Sequence, residues 1–164
     1  MYKTFALAIA IILHVTFLLA VLKLLVRKLP GLGMGELSRA GGTWFAALLA
    51  AGILNSLKGI DTLSNAFGNI YAAGGSNLPM AVLKTFCSCT GVSLLWFLFV
   101  QLLSAELCAI FVGRRKNLHE LAADNYPYFI IKGALLLAVT LCLWPVLESI
   151  LLLLTQDTQL PFYH

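Results

Sequence analysis

Four stretches of the chain each run for about 20 residues or more with very few charges. They are Phe5 to about Val26, near Thr43 to past Gly59, about Ser88 to Val112, and Pro127 to about Leu154. No other feature constrains the fold as much. About 20 apolar residues in a helix cross a bilayer core about 30 Å thick. Lipid offers no water to open backbone groups, so only helices and closed barrels cross it. No alternating segments of about ten residues argue for a barrel. The reading is all-α: a polytopic membrane protein with four transmembrane helices, in one integral membrane domain over residues 1–164. Composition agrees, with 60% hydrophobic and 11% charged residues and a mean hydropathy of +0.92. Soluble domains are about a quarter charged. The net charge of +4 is small. No basic, aromatic-interleaved surface supports nucleic-acid binding.

The N-terminal run after Lys3 imitates a signal peptide. It is longer than an h-region of about 7–15 residues, and no small-residue cleavage site ends it. It reads as a retained first helix. Basic residues then orient the spans. Lys23, Arg27, Lys28 and Arg39 follow the first span, and Arg114, Arg115 and Lys116 follow the third. The opposite side holds Lys3, Lys58 and Lys84. The positive-inside rule puts loops 27–42 and 114–126 in the cytoplasm and both termini outside or in the periplasm. The expected location is the cell (inner) membrane.

The second span does not stop where its apolar part ends, near Leu57. Few helix breakers interrupt "KGIDTLSNAFGNIYAAGG", so a helix is expected to about Ala73. Leu57, Ile60, Leu63, Ser64 and Phe67 would share one side, either interfacial or packed on another subunit. Lys58 and Asp61 are spaced to pair. "GGSNLP" at 74–79 turns the chain.

The segment "GELSRAGGTWFA" at 35–46 has an echo in "HELAADNYPYFI" at 119–130. A shift of 84 residues lays Glu36 on Glu120, Leu37 on Leu121, Gly41 on Asn125 and Phe45 on Phe129. It also lays the first span on the third and the second on the fourth. The reading is a tandem parallel repeat of two helix hairpins, about 1–75 and about 80–164. Each hairpin has a basic loop, a Glu-Leu pair suited to a short interfacial helix, and a helix start. First-turn N–H groups need acceptors. Thr43 is expected to cap the second span and Asp124 or Asn125 the fourth, with Pro127 tolerated in a first turn. Trp44, Tyr126 and Tyr128 suit an interfacial aromatic belt. "ELAADNYP" leading into an apolar helix, in a duplicated two-helix unit, resembles the YjfL-type family of small bacterial membrane proteins. That family has a similar acidic-Leu…Asn start to its even-numbered spans. The likeness covers most of the chain. It implies four helices in the inner membrane and no known activity. The first copy departs from the pattern with Gly41 and Gly42, and "YPYFII" replaces the small-residue run expected after Asn125.

Ionisable groups inside a bilayer are functional candidates by default. Glu106 lies six residues before Val112, about 9 Å inside the boundary at a rise of about 1.5 Å per residue. Lys132 lies five residues after Pro127, about 7.5 Å in by the same rise. Their matching depth predicts that they pair with each other, or each with a neighbouring subunit, in a structural role or as part of a proton or ion relay. Asn55, Ser56, Lys58, Asp61 and Glu148 form an expected outer polar layer. His14, Gln101 and Ser104 read as hydrogen-bonded packing. Ala47, Ala51, Asn55 and Gly59 make a small-residue stripe for close helix approach. Ala6 with Ala10, and Ala134 with Ala138, repeat it in the first and fourth spans.

No catalytic or metal set is legible, and no cofactor is expected. "GLGMG" at 31–35 follows no strand, and "HELAA" at 119–123 lacks a second histidine. Cys87, Cys89, Cys108 and Cys142 read as small apolar residues, since "CSC" is not a metal or redox spacing. The expected role is a non-enzymatic subunit of an oligomeric or multi-component membrane assembly, partnered by lipid, copies of itself or other membrane proteins. The competing expectation is an oligomeric ion channel or small-solute transporter with a polar path near Glu106 and Lys132.

Overall fold

The computed structural model describes residues 2–27, 38–74 and 77–156, and these are helical apart from short connections. The helices are α1 (Tyr2–Arg27), α2 (Arg39–Ala73), α3 (Leu78–Val112), α4 (Asn117–Ala122), α5 (Tyr126–Cys142) and α6 (Trp144–Gln156). Three of them, α1, α2 and α3, are long and apolar enough to cross a membrane. The pair α5–α6 makes a fourth if taken as one span, bent by 45°. The apolar faces turn outward: in the apolar windows of α1 and α3 only 22% of the residues are buried.

The expected fourth span, Pro127 to about Leu154, is broken by this bend, and Pro145 accounts for it. Proline has no N–H to donate to the carbonyl four residues back, and its ring crowds that carbonyl. The ladder closes on either side, with Leu143 N–H donating to Val139 O at 3.0 Å and Leu147 N–H to Leu143 O at 3.2 Å. The third span starts ten residues before the expected Ser88, at Leu78, with Pro79 in its first turn. Its single charge there, Lys84, does not stop a helix. Gly74 ends α2 at φ 53°, a left-handed conformation that glycine adopts without strain.

Helix α2 occupies the centre and packs on α1, α3, α5 and α6. One core cluster joins Leu18 and Leu22 of α1, Trp44 and Leu48 of α2, Phe97 of α3 and Phe129 of α5. A second joins Ala10, Leu63, Phe67, Cys89, Leu147 and Leu151 at the other end. The α2 tail therefore packs within its own chain rather than waiting for a neighbour. Its buried face is Gly59, Thr62, Leu63, Ala66 and Phe67, while Leu57 is exposed. Of the expected side, Leu63 and Phe67 are buried, and Ile60 and Ser64 are half-buried.

Close approach sets two of these contacts. A Cβ on Gly133 of α5 would lie 2.7 Å from the Ala47 Cβ. One on Gly59 would lie 2.5 Å from Ser93 Oγ of α3. Of the small-residue stripe, Ala51, Asn55 and Gly59 are buried and Ala47 is half-buried.

Candidate functional site

The helix starts at the Arg39–Tyr126 end are tied together, but not as expected. Ser38, not Thr43, caps α2, its Oγ accepting from Gly41 N–H at 3.0 Å. Thr43 sits one turn inside, with Oγ1 donating to Arg39 O at 2.8 Å. Helix α2 begins four residues earlier than the apolar run, so Thr43 has no free N–H to serve. Asp124 caps the other hairpin's helix: its Oδ1 accepts from Ala40 N–H at 2.8 Å. A φ of 46° at Asp124 turns the chain there. Asn125 stands at the cap position of α5, but its side chain makes no capping bond. Its Nδ2 donates to Glu120 Oε2 at 2.5 Å, and Glu120 also pairs with Arg115 at 3.3 Å. Short helix α4 carries the Glu120–Leu121 pair. Glu36 lies outside the described residues.

Glu106 and Lys132 do not meet, which corrects the expected pair within one chain. The buried face of α3 runs Thr85, Cys89, Ser93, Phe97, Val100, Ser104, Cys108. Glu106 is two residues past Ser104, so about 200° round at about 100° per residue. It projects outward, its side chain 73% exposed, with Arg114 at 4.0 Å as its ion partner. Exposed Leu102, Ile110 and Phe111 surround it on that face. Lys132 instead belongs to the buried face of α5 with Tyr128, Phe129, Gly133 and Leu136.

Lys132 forms the first of two interior polar clusters. It is 4% exposed. Its Nζ donates to Asn117 Oδ1 at 2.7 Å and lies 4.8 Å from the Trp44 ring centroid. Tyr128 Oη donates to the same Asn117 oxygen at 3.3 Å. A chamber of about 220 Å³ adjoins the ammonium, lined by Trp44, Gln101, Asn117 and Lys132 with apolar Leu25, Leu48, Ala105 and the exposed Leu102. Sequence reasoning missed Asn117, which sits in a basic loop with no local signal of its partner on α5.

The second cluster crosses the helix group where Gly59 lets α2, α1 and α3 converge. His14 Nδ1 and Thr90 Oγ1 share a hydrogen bond of 3.2 Å. Beside them His14 Nε2, both polar atoms of the Asn55 side chain and Ser93 Oγ are buried without a hydrogen-bond partner among the described residues. On another side of α2, Lys58 Nζ reaches Glu148 Oε1 at 2.8 Å and Asp61 Oδ2 at 4.0 Å. The outer polar residues thus come together around Lys58, with Asn55 on the buried side of the same helix. His14, Thr90 and Ser93 extend this layer. The free cysteines Cys89 and Cys108 are buried, Cys87 and Cys142 exposed.

These arrangements can hold water, balance charge and fix helix register. Neither cluster pairs a nucleophile with a base and an oriented acceptor, the geometry that covalent catalysis needs. Comparison with protein-family models, curated proteins and solved structures finds no match.

Proposed function

We propose that this chain is a non-enzymatic integral membrane protein that crosses the bilayer four times and serves as a subunit of an oligomeric or multi-component assembly. One observation carries the reading. Glu106 stands on the outward face of α3, amid exposed Leu102, Ile110 and Phe111, with its carboxylate 73% exposed. Charged side chains within membrane spans almost always face protein or a water-filled cavity. In a lone chain this face would meet lipid. Within the chain Glu106 has only the exposed Arg114 at 4.0 Å, and a second polypeptide on α3 would shield that pair from lipid. The predominantly outward apolar surface of α1 and α3 fits the same setting. The orientation, with both termini outside and the basic loops inside, belongs to this proposal, as do the hairpin duplication and the YjfL-type resemblance. Native mass spectrometry of the protein released from membranes tests it. The expected result is a mass above that of one chain. A monomer carrying only lipid overturns it.

A second reading, an oligomeric channel or small-solute transporter, draws on the Lys58 layer. Ionisable and unpartnered polar groups on both sides of α2 are what a relay or substrate path requires. This moves the polar path away from Glu106. Ion flux through reconstituted vesicles, abolished by Glu148→Gln, would favour this reading; tight vesicles would remove it.

A further inference from the structure

The chamber beside Lys132 holds a charge with no counter-charge. No carboxylate lines it among the described residues. The nearby acids are engaged elsewhere: Glu106 faces outward towards Arg114, Glu120 pairs with Arg115 and Asn125, and Asp124 caps α2. A buried ammonium normally has an ionic partner, because one neutral acceptor offsets the desolvation of the charge only in part. The hydrogen-bond inventory has the same sign. Asn117 Oδ1, the acceptor nearest the ammonium, is already used twice, by Lys132 and by Tyr128. Asn117 therefore has only its amide N–H groups left to offer. Gln101 lines the same space, and its amide has no hydrogen-bond partner among the described residues. An ammonium has three donors. One is spent on Asn117 and the Trp44 ring takes up one side of the charge, so donor capacity remains.

We propose that this chamber binds an oxyanion of the phosphate class, with Lys132 as its counter-charge and the Gln101 and Asn117 amides as neutral donors. Lys132 is six residues into α5, about 9 Å along the axis at about 1.5 Å per residue. In a membrane setting that is the depth at which headgroup phosphates give way to hydrocarbon. The anion is thus either a free phosphate or the phosphodiester of a lipid headgroup. Leu25, Leu48 and Ala105 make the rest of the wall apolar, the chamber opens beside the exposed Leu102, and the Trp44 ring reports on occupancy.

The test uses the full chain in neutral detergent. Trp96→Phe and Trp144→Phe leave Trp44 as the only indole of the three. One arm titrates inorganic phosphate against chloride at matched ionic strength. The other titrates phosphatidylglycerol into phosphatidylcholine-doped micelles. A saturable change in Trp44 fluorescence with phosphate assigns a soluble anion; a change with phosphatidylglycerol alone assigns a lipid headgroup. Either supports the proposal provided Lys132→Met, which keeps the length of the stem, abolishes it. Gln101→Leu, which leaves the Lys132 contacts in place, weakens it about tenfold, the loss expected for one hydrogen bond to a charged group. Should Lys132→Met fail to fold, Gln101→Leu decides. No saturable response to either probe, or a response unchanged in the variants that fold, overturns the proposal. Neither arm depends on the number of chains in the assembly.

Discussion

The contact between Gly133 and Ala47 fixes how closely α5 lies on α2, and its consequence can be calculated. A methyl group on Gly133 would sit 2.7 Å from the Ala47 Cβ. Two carbons prefer about 3.5–4.0 Å. Both atoms are attached directly to helix backbone, so no rotamer change relieves the clash and the helices must part by about 1 Å. Overpacking of this kind costs about 1–3 kcal/mol. Replacing a helical glycine by alanine returns about 1 kcal/mol of helix propensity. Gly133→Ala should therefore destabilise by about 0–2 kcal/mol net. The double variant Gly133→Ala with Ala47→Gly moves the methyl group from one helix to the other. It should be more stable than the sum of the single changes by at least about 1 kcal/mol. Gly52→Ala is the control. Its new Cβ meets Leu18 Cδ1 at 3.1 Å, the far end of a flexible side chain, so the propensity gain should dominate and stability should hold or rise. Reversible denaturant unfolding in mixed micelles, followed by tryptophan fluorescence, gives all four values. A coupling below about 0.5 kcal/mol, within ordinary additivity, would refute close α2–α5 packing at this point.

Two further predictions follow from the polar contacts. Asp124→Ala removes the acceptor for Ala40 N–H and should cost about 1 kcal/mol, the usual value of an N-terminal cap; Asp124→Asn should retain most of it, and Thr43→Ala should cost less than Asp124→Ala, all read as thermal midpoints. Lys58→Glu and Glu148→Lys each place like charges at the 2.8 Å contact. The double swap should recover about 2–4 °C relative to the sum of the singles, the midpoint shift of about 1 kcal/mol in a chain of this size. Midpoints that simply add would mean that Lys58 and Glu148 do not interact.

Much of the fold is legible because length and apolarity act locally. Phe5–Val26 and Ser88–Val112 read as helices since any other backbone would leave amides unpaired in lipid. Gly74 marks the turn by its own chemistry; Pro145 offers a local signal of the bend that sequence reading missed. What sequence reading gets wrong is mostly rotation. Depth along a helix is counted in residues, which is all that set Glu106 and Lys132 side by side in the sequence reading. Which way each points depends on the packing of neighbours. In α3 almost every position is apolar, and the usual amphipathic contrast is missing. The small and polar residues Thr85, Cys89, Ser93, Ser104 and Cys108 carry the signal instead: they recur every three or four residues with the buried face, and Glu106 is not among them. The caps fail for another reason. Thr43 is a plausible local cap, but Ser38 precedes it and the second acceptor, Asp124, arrives from 84 residues away. Asn117 as the partner of Lys132 is equally non-local.

The central claim is that another polypeptide covers the α3 face around Glu106. A photoreactive amino acid in place of Leu102, one helical turn from Glu106 and 69% exposed, tests it in intact membranes. Ile12 on α1, 65% exposed, serves as the comparison site. The account predicts a discrete protein–protein adduct from position 102 that Glu106→Lys diminishes, and only lipid adducts from position 12. Lipid adducts alone from both positions would contradict it.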